Sequence, residues 1–527
     1  MTTKCNDKTL SFEEKELCIL RNAVDKAEAK TGKKMNSSSD IASIISILEQ
    51  FLRRKKLICY GGTAINNILP VNDQFYNKDI EIPDYDFYSP KAIADAKELA
   101  DIYAKQDYLD IEVRAGVHVG TYKLYVNFIQ IADITQLEPT LYKVLLSKSI
   151  RKNGISYAPP DFLRLNMYQE LASPAGDVSR WEKVYKRLIL LNKHYPLKNN
   201  PKCSELNFMR DFTGNAELND TIYDIVKNTM IDEGVVFIGG YASSLYGRYM
   251  PAQQRKQLQH VPDFDVLSLD PMTTALIVKE RLEDAGFKNV KINKKPKIDD
   301  EMLLEHYEVV VENDTVCFIY KPNGCYSFNT ISIEKKVVNV ATIETMLLFL
   351  LAFTFSDRPY YDVERILCMA QYLFNVQAVN RLNQKGLLKR FTIECYGNDE
   401  TLTDIRSKKA EKYKELKVHP DMKEYEKYFL KYVPPRSLSS TSLLSANTKN
   451  KKNKKYKRQT FKRGYIKNNN LYDGENTNDG ENTYDGENKK INPKINNKRA
   501  VNKTYKSYRP KKNTRKNIVG KLFRGIF

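Results

Sequence analysis

Leu57-Ile58-Cys59-Tyr60-Gly61-Gly62-Thr63-Ala64, followed about twenty residues later by Pro83-Asp84-Tyr85-Asp86, holds the two features from which the rest of the chain can be read. The apolar run Leu57 to Tyr60 has the length and character of a short buried strand, and a glycine pair follows it directly. Glycine lets a backbone come close to a ligand, and Ala64 to Leu69 reads as a short helix. A strand, a Gly-Gly turn and a helix in that order point free N–H groups and the positive end of a helix dipole at whatever lies in front, most commonly a phosphate. Asp84 and Asp86 stand at i and i+2. On a strand they leave the same face, where two carboxylates repel unless a cation lies between them; beside phosphate that cation is commonly Mg2+.

A lone Gly-Gly is commonly just a turn, and a lone Asp-x-Asp commonly a solvated edge. In this order the two resemble the signature of the DNA polymerase-beta-like nucleotidyltransferase superfamily. The wider wording, YGGTAINNILP and then IPDYDFYS, resembles the poly(A) polymerase catalytic subunit of poxvirus- and mimivirus-type large DNA viruses. The resemblance implies template-independent transfer of AMP from ATP to an RNA 3′ end, with two Mg2+ or Mn2+ ions. It also implies a third metal carboxylate 40 to 60 residues beyond the pair. Asp133, in the apolar run Val126 to Ile134, lies 47 residues after Asp86 and is assigned that role. An unpaired acid on a buried strand is costly, which favours function over accident. Gly61, Gly62 and Thr63 are the expected phosphate cradle. In Ser179-Arg180-Trp181-Glu182-Lys183-Val184-Tyr185-Lys186-Arg187-Leu188, Lys183 and Arg187 share a helix face and are expected to touch triphosphate or RNA; a solvated basic face is the alternative.

The chain then repeats itself. Val235-Val236-Phe237-Ile238-Gly239-Gly240-Tyr241-Ala242 echoes the first turn, and Pro262-Asp263-Phe264-Asp265 echoes the acid pair. Val338 to Glu344 and Arg365-Ile366-Leu367 echo segments near Ile155 and Arg187, all at offsets of 178 to 183 residues. Repetition at one offset indicates a duplicated module. The second copy departs from the pattern. Tyr241 replaces Thr63, which is expected to put a ring where phosphate approaches. Where Asp133 should recur, Lys321 to Thr330 holds no carboxylate.

With 527 residues and 42% hydrophobic content the chain is long enough for several ordinary cores. Its eight cysteines show no C-x-x-C pair, which argues for a reducing compartment and against a disulfide frame or a zinc site. The first residues lack the apolar core of a signal peptide, and the longest apolar run, Thr345 to Phe355, is short for a membrane span of roughly 20 residues. A soluble intracellular protein is expected; by resemblance it would work in the host cytoplasm, a viral factory or the virion. The net charge of +20 is concentrated at one end. Residues 434–527 carry 25 Lys/Arg against 6 Asp/Glu, whereas the other 60 basic and 59 acidic side chains balance.

The expected fold is α/β (α+β): two tandem nucleotidyltransferase-like modules, the second degenerate, with helical extensions and a disordered basic tail. Residues 1–40 form a helical extension, with Ser11 and Glu14 at capping-box spacing and Gly32 as the helix stop. Residues 41–200 form the catalytic module. Three strands are expected around Ile111 to Val113, at His118-Val119 and over Tyr122 to Ile134. Residues 201–385 form the degenerate module, and 386–433 a helical piece packed against it. Residues 434–527, with Asp-Gly-Glu-Asn repeats and tyrosines such as Tyr456 and Tyr505 among lysines, form the tail, which suits single-stranded RNA or is compositional drift. ATP and an RNA 3′ end are the expected partners, with self-association or a processivity partner left open and no membrane. The alternatives are another nucleotidyltransferase on this scaffold, of oligoadenylate- or CCA-adding type, and a non-enzymatic RNA-binding pseudoenzyme.

Overall fold

In a computed structural model the described residues are 5, 11–36, 39–77, 82–197, 203, 216–251, 263–298, 302–380, 383–398 and 400–435. The basic tail expected from 434 onward therefore lies outside them beyond Pro435. In chain order the first half comprises α1 (Phe12–Asn36), α2 (Ser39–Lys55), β1 (Ile58–Tyr60), α3 (Gly61–Ile68), β2 (Tyr85–Ser89), α4 (Ala92–Lys105), β3 (Glu112–Ala115), β4 (Thr121–Val126), β5 (Ile129–Gln136), α5 (Pro139–Lys148), β6 (Ile150–Lys152), β7 (Ile155–Tyr157), α6 (Pro160–Leu171) and α7 (Trp181–His194). The second half comprises α8 (Ala216–Asp232), β8 (Val236–Ile238), α9 (Gly239–Tyr246), β9 (Phe264–Leu267), α10 (Pro271–Asp284), β10 (Val290–Lys295), β11 (His306–Val311), β12 (Asp314–Tyr320), β13 (Tyr326–Ile333), β14 (Lys336–Ala341), α11 (Ile343–Phe355) and α12 (Val363–Val379). The last elements are β15 (Cys395–Tyr396), α13 (Leu402–Leu416), α14 (Lys423–Phe429) and β16 (Lys431–Tyr432).

The strands build two eight-stranded mixed sheets, ordered β16-β3-β4-β5-β2-β1-β7-β6 and β10-β11-β12-β9-β8-β14-β13-β15. Seven strands of one sheet map onto seven of the other in the same order. In each sheet the strand before the Gly-Gly turn runs antiparallel to the acid-bearing strand and parallel to the far hairpin. The duplication read from the sequence is thus a duplication of topology.

Alternating apolar residues turn one face of the first sheet into a core. Val113, Leu124, Ile134 and Phe87 are fully buried, packed with Leu48 and Leu52 of α2 and Leu99 of α4. Each such side chain contributes about 1.5–3 kcal/mol relative to its exposed state. The longest apolar run is α11, in which every residue is buried. Phe162 of α6 meets its Phe355 edge-on at 5.2 Å, so this helix sits where the two modules join. No helix of the described residues is long and apolar enough to cross a membrane.

Local signals held where they were strong. The Ser11 hydroxyl accepts from Glu14 N and the Glu14 carboxylate accepts from Ser11 N, a complete capping box. Gly32 does not stop α1, which continues to Asn36, since one glycine costs about 1 kcal/mol and helix formers follow it. The expected strand over Tyr122 to Ile134 is a hairpin instead. Asn127 and Phe128 take φ of 51° and 64° and turn the chain from β4 into β5, and His118-Val119 lies in the preceding turn.

Two further expectations are corrected. The 386–433 piece does not pack as a whole on the second module. Its β15 joins β13, but the chain then crosses back, and β16 pairs with β3 of the first sheet. Leu430 O accepts from Ala115 N at 2.8 Å, Tyr432 donates to Asp101 at 2.7 Å, and Lys97 pairs with Glu426. The open edge of β3 supplies the reason, because its N–H and C=O groups need partners. The cysteines, secondly, are not all free. Cys5–Cys18, Cys203–Cys368 and Cys325–Cys395 are disulfides, while Cys59 and Cys317 are buried thiols. Two of the pairs span 165 and 70 residues, so only the folded chain brings them together and local spacing carries no trace of them.

Candidate active site

Gly61 is the first residue of α3 and has φ of +68°, a conformation that glycine adopts without strain. A Cβ there would overlap the Asp86 carboxylate, so this glycine makes room for the acid above the turn. At Gly62 a Cβ would overlap the Tyr76 hydroxyl, with Arg187 Nη1 only 3.1 Å away. The glycine pair is therefore a cradle with a carboxylate on one side and a guanidinium on the other.

Strand register assembles the acids. Tyr60 of β1 lies opposite Asp86 of β2, and Asp86 lies opposite Asp133 of the parallel strand β5. Partners in register project from the same face, so Asp86 and Asp133 are neighbours although 47 residues separate them. Asp84 stands just before β2 at the exposed lip. Its carbonyl accepts a hydrogen bond from the Thr63 hydroxyl. Thr63 is buried, so its hydroxyl anchors the acid-bearing segment where a phosphate-binding role had been expected.

Asp133 is held by Lys123 of β4 at 3.1 Å and by the Gln130 amide at 2.9 Å. The Tyr60 ring stacks on Tyr88 at 3.9 Å and its hydroxyl meets Thr135 Oγ1 at 2.8 Å. Burial, reinforced by Tyr88 and by Asp86, pushes the Tyr60 phenol well above its usual pKa, so it remains a neutral hydrogen-bonding group beside the acids.

Arg187 reaches the turn from α7. Its Nη2 donates to the Tyr76 hydroxyl at 2.8 Å, and its guanidinium lies 5.1 Å above the Phe75 ring. The segment carrying these two rings is pinned from both sides. The buried Asn66 side chain accepts from Phe75 N and Tyr76 N at 2.8 and 2.9 Å, and Asp73 meets His194 and Lys193 at 2.5 and 3.0 Å. Lys183 lies exposed on α7, one turn before Arg187. Sequence reasoning missed Tyr76, Asn66 and Lys123. The polar pair Asn66-Asn67 inside an apolar helix was one available signal, and Lys123 alternating with Thr121 and Tyr125 was another.

Among the described residues no three His, Cys, Asp or Glu side chains close around one point. The donors at this turn are nonetheless all carboxylate oxygens, two of them in register over a cradle kept open by Gly61, and such a set fits a hard divalent cation.

The second module repeats the frame without the pairing of acids. Gly239 has φ of +64° and accommodates Asp265, and Ile238 lies opposite Asp265. The register partner of Asp265 on the parallel strand β12 is Phe318. The position equivalent to Asp133 is thus Phe318, not the segment Lys321 to Thr330, because β12 ends at Tyr320. Nor does Tyr241 point at the phosphate approach. Its ring is buried against Phe237 and Phe264, on the inner side where Thr63 also lies.

Residues 46–177 match the family of the poly(A) polymerase catalytic subunit. The matched residues contain the Gly-Gly turn, Asp84, Asp86 and Asp133. A protein of African swine fever virus (isolate Tick/Malawi/Lil 20-1/1983), provisionally named as such a subunit, is 28% identical over 180 residues, which are 33% of this chain and 38% of that protein. A protein of Acanthamoeba polyphaga mimivirus under the same name is 32% identical over 162 residues, 30% of this chain and 27% of its own length. The chain thus spans less than two fifths of the length of these relatives. The crystal structure of the Megavirus polyadenylate synthase has the same fold, with a TM-score of 0.67 at 20% identity over 78% of this chain and 85% of that one. That likeness extends through both modules, well beyond the reach of the sequence match.

Proposed function

We propose that this chain is a template-independent polynucleotide adenylyltransferase, which extends the 3′ end of RNA with AMP from ATP and releases pyrophosphate. The observation that carries the reading is the register of Asp86 with Asp133 beside a glycine turn flanked by Arg187. Asp84, Asp86 and Asp133 would hold two Mg2+ or Mn2+ ions, which when bound neutralise the triphosphate and lower the pKa of the attacking 3′-hydroxyl. The N–H groups at Gly61 and Gly62 and the Arg187 guanidinium would orient the β- and γ-phosphates, with Lys183 on the approach to them. Thr63 holds the Asp84 backbone in place, and Lys123 keeps Asp133 oriented. Phe318 in place of a third acid supports reading the second module as a structural copy. The choice of adenine follows the poly(A) polymerase resemblance, as do a viral factory or virion as the place of action and a processivity partner or self-association.

The test is primer extension by the purified full chain, with each NTP supplied separately and Mg2+ or Mn2+ present. Long homopolymer from ATP alone is expected. Asp86→Ala should lower the rate by about three orders of magnitude, since the lost charge stabilisation is worth several kcal/mol, while the melting temperature is retained. Appreciable extension by a folded Asp86→Ala chain overturns the assignment; a short ladder, or products from CTP as well, points to an oligoadenylate- or CCA-adding type.

A further inference from the structure

The row of register partners that contains the acids does not end at Asp133. It continues through Lys123 of β4 and Arg114 of β3 to Lys431 of β16. Read across the sheet, one line of side chains runs Tyr60, Asp86, Asp133, Lys123, Arg114, Lys431. Adjacent strands are about 4.8 Å apart, so the line leaves the acids and meets a cation at each of the next three strands. Its outer end is open to solvent. Tyr122, Leu124 and Val113 point to the opposite side, where the Tyr122 hydroxyl reaches Lys427 O beside α14. Exposure rises outward along the line: the Lys123 side chain is 14% exposed, Arg114 50% and Lys431 66%.

The degenerate module supplies an internal comparison. Its equivalent row reads Ile238, Asp265, Phe318, Glu308, Asn293. Glu308 stands where Lys123 does and Asn293 where Arg114 does; Glu308 is engaged by Asn293 at 3.1 Å and by Lys295 at 2.8 Å. At the two positions the sheets share, those of Lys123 and Arg114, the copy that lacks the third acid has no cation; Lys431 has no counterpart there, because β16 is the strand that the second sheet lacks. Lys123 answers the Asp133 carboxylate, which the copy lacks, so the comparison bears on Arg114, whose place Asn293 takes on an equivalent strand.

We propose that Arg114 and Lys431, continuing from Lys123, form the track that binds the phosphates of single-stranded RNA immediately upstream of the 3′ end. The proposal rests on the adenylyltransferase reading, which places the 3′-hydroxyl at Asp86 and Asp133, and it names where the preceding nucleotides lie. Glu112 lies beside the outer part of this line, 2.7 Å from Arg114 and 4.0 Å from Lys431. The cationic ends of these pairs are exposed, 50% for Arg114 and 66% for Lys431, whereas the Glu112 side chain is only 19% exposed; Glu112 thus sits beneath the two cations and competes with phosphate for them in the absence of RNA. The Arg114 guanidinium also lies 5.8 Å over the Tyr125 ring, which keeps it on this face when the carboxylate is displaced.

The test is fluorescence anisotropy of a 5′-labelled single-stranded oligoribonucleotide across a salt series, with full-length protein and no ATP. The double substitution Arg114→Gln with Lys431→Gln should weaken binding about tenfold at low salt. It should also flatten the log–log salt slope by about 0.7 for each phosphate that is no longer neutralised. Glu112→Gln should act in the opposite direction and tighten binding several-fold, a sign that a merely structural role for this cluster does not give. Arg114→Lys with Lys431→Arg should bind like the wild type. The KM for ATP should be unchanged in all three. Equal affinity and slope in the double Gln protein, or weaker binding by Glu112→Gln with an unchanged melting temperature, overturns the track. If the wild type transfers no nucleotide and yet the binding changes appear, the adenylyltransferase reading fails and the track stands.

Discussion

Gly61 shows how one missing side chain sets up a site. Its positive φ costs a residue with a Cβ about 1–2 kcal/mol, and the same Cβ would intrude on the Asp86 carboxylate. Gly61→Ala should therefore reduce primer extension far more than it reduces stability; comparison of extension rates with urea midpoints checks this. Tyr76 works at the same scale through its partner. Its hydroxyl and the ring of Phe75 hold Arg187 at the turn. A hydrogen bond to a partly exposed guanidinium is worth about 1 kcal/mol, so Tyr76→Phe should raise the KM for ATP about fivefold and leave kcat nearly unchanged. A fall in kcat with KM constant would move Tyr76 into the chemistry.

At the scale of elements, strands and their partners explain what single residues cannot. His306 opens β11 and is fully buried, stacked on Tyr320 at 4.8 Å, with Nε2 3.4 Å from the Tyr360 hydroxyl. Burial is the leading cause that lowers its pKa from the usual value near 6.5 to about 4. Above pH 6.5 the ring is neutral in both the folded and the unfolded chain, and the fold keeps its full stability. As pH falls below that, the unfolded chain takes up a proton that the folded chain refuses, so stability is lost between pH 6.5 and 4, to a total of about 3 kcal/mol. Urea unfolding at several pH values should show this loss in the wild type and a shallower slope for His306→Phe; equal slopes would mean that the ring is protonated in the fold. The C-terminal strap is a second element whose role appears only in its pairing. β16 has two residues, yet it covers the edge of β3 and adds Lys431 to the row that leads from the acids.

For the whole molecule, the two modules share a frame and differ in what the frame holds. Phe318 opposite Asp265 leaves the second copy without the acid that Asp133 provides in the first. Asp263→Asn combined with Asp265→Asn should keep the extension rate within a few-fold of wild type, measured on protein whose melting temperature is also recorded. A folded double variant that has lost turnover would show that the second module is catalytic or binds nucleotide. The fused architecture also gives this copy a structural task. Its α11 is buried against α6, and Arg390 and Phe391 lie on Tyr185 and Trp181 of α7, the helix that carries Arg187.

Much of this was legible along the chain. The Gly-Gly turn, Asp86 on its strand and the duplication are local patterns repeated at one offset, and such patterns survive because backbone conformation and strand periodicity act over a few residues; Asp84, expected on the same strand as Asp86, falls just before β2. Asp133 could be named as a third acid only through the family resemblance; that it sits beside Asp86 is a fact of strand register. The same limit hid Lys123, Tyr76, Phe318 and the long-range disulfides, since each gains its meaning from a partner between ten and 165 residues away. The 386–433 piece was misplaced for an equally physical reason. Charge-rich helices carry little information about which surface they cover, and the deciding term was the unpaired edge of β3, formed some 300 residues earlier. Sequence alone determined the glycine turn after its strand and the duplication of that frame, because those depend on near neighbours. Tertiary structure decided which acids meet, which cations line up behind them and where the chain returns, because these depend on register between strands that only folding brings side by side.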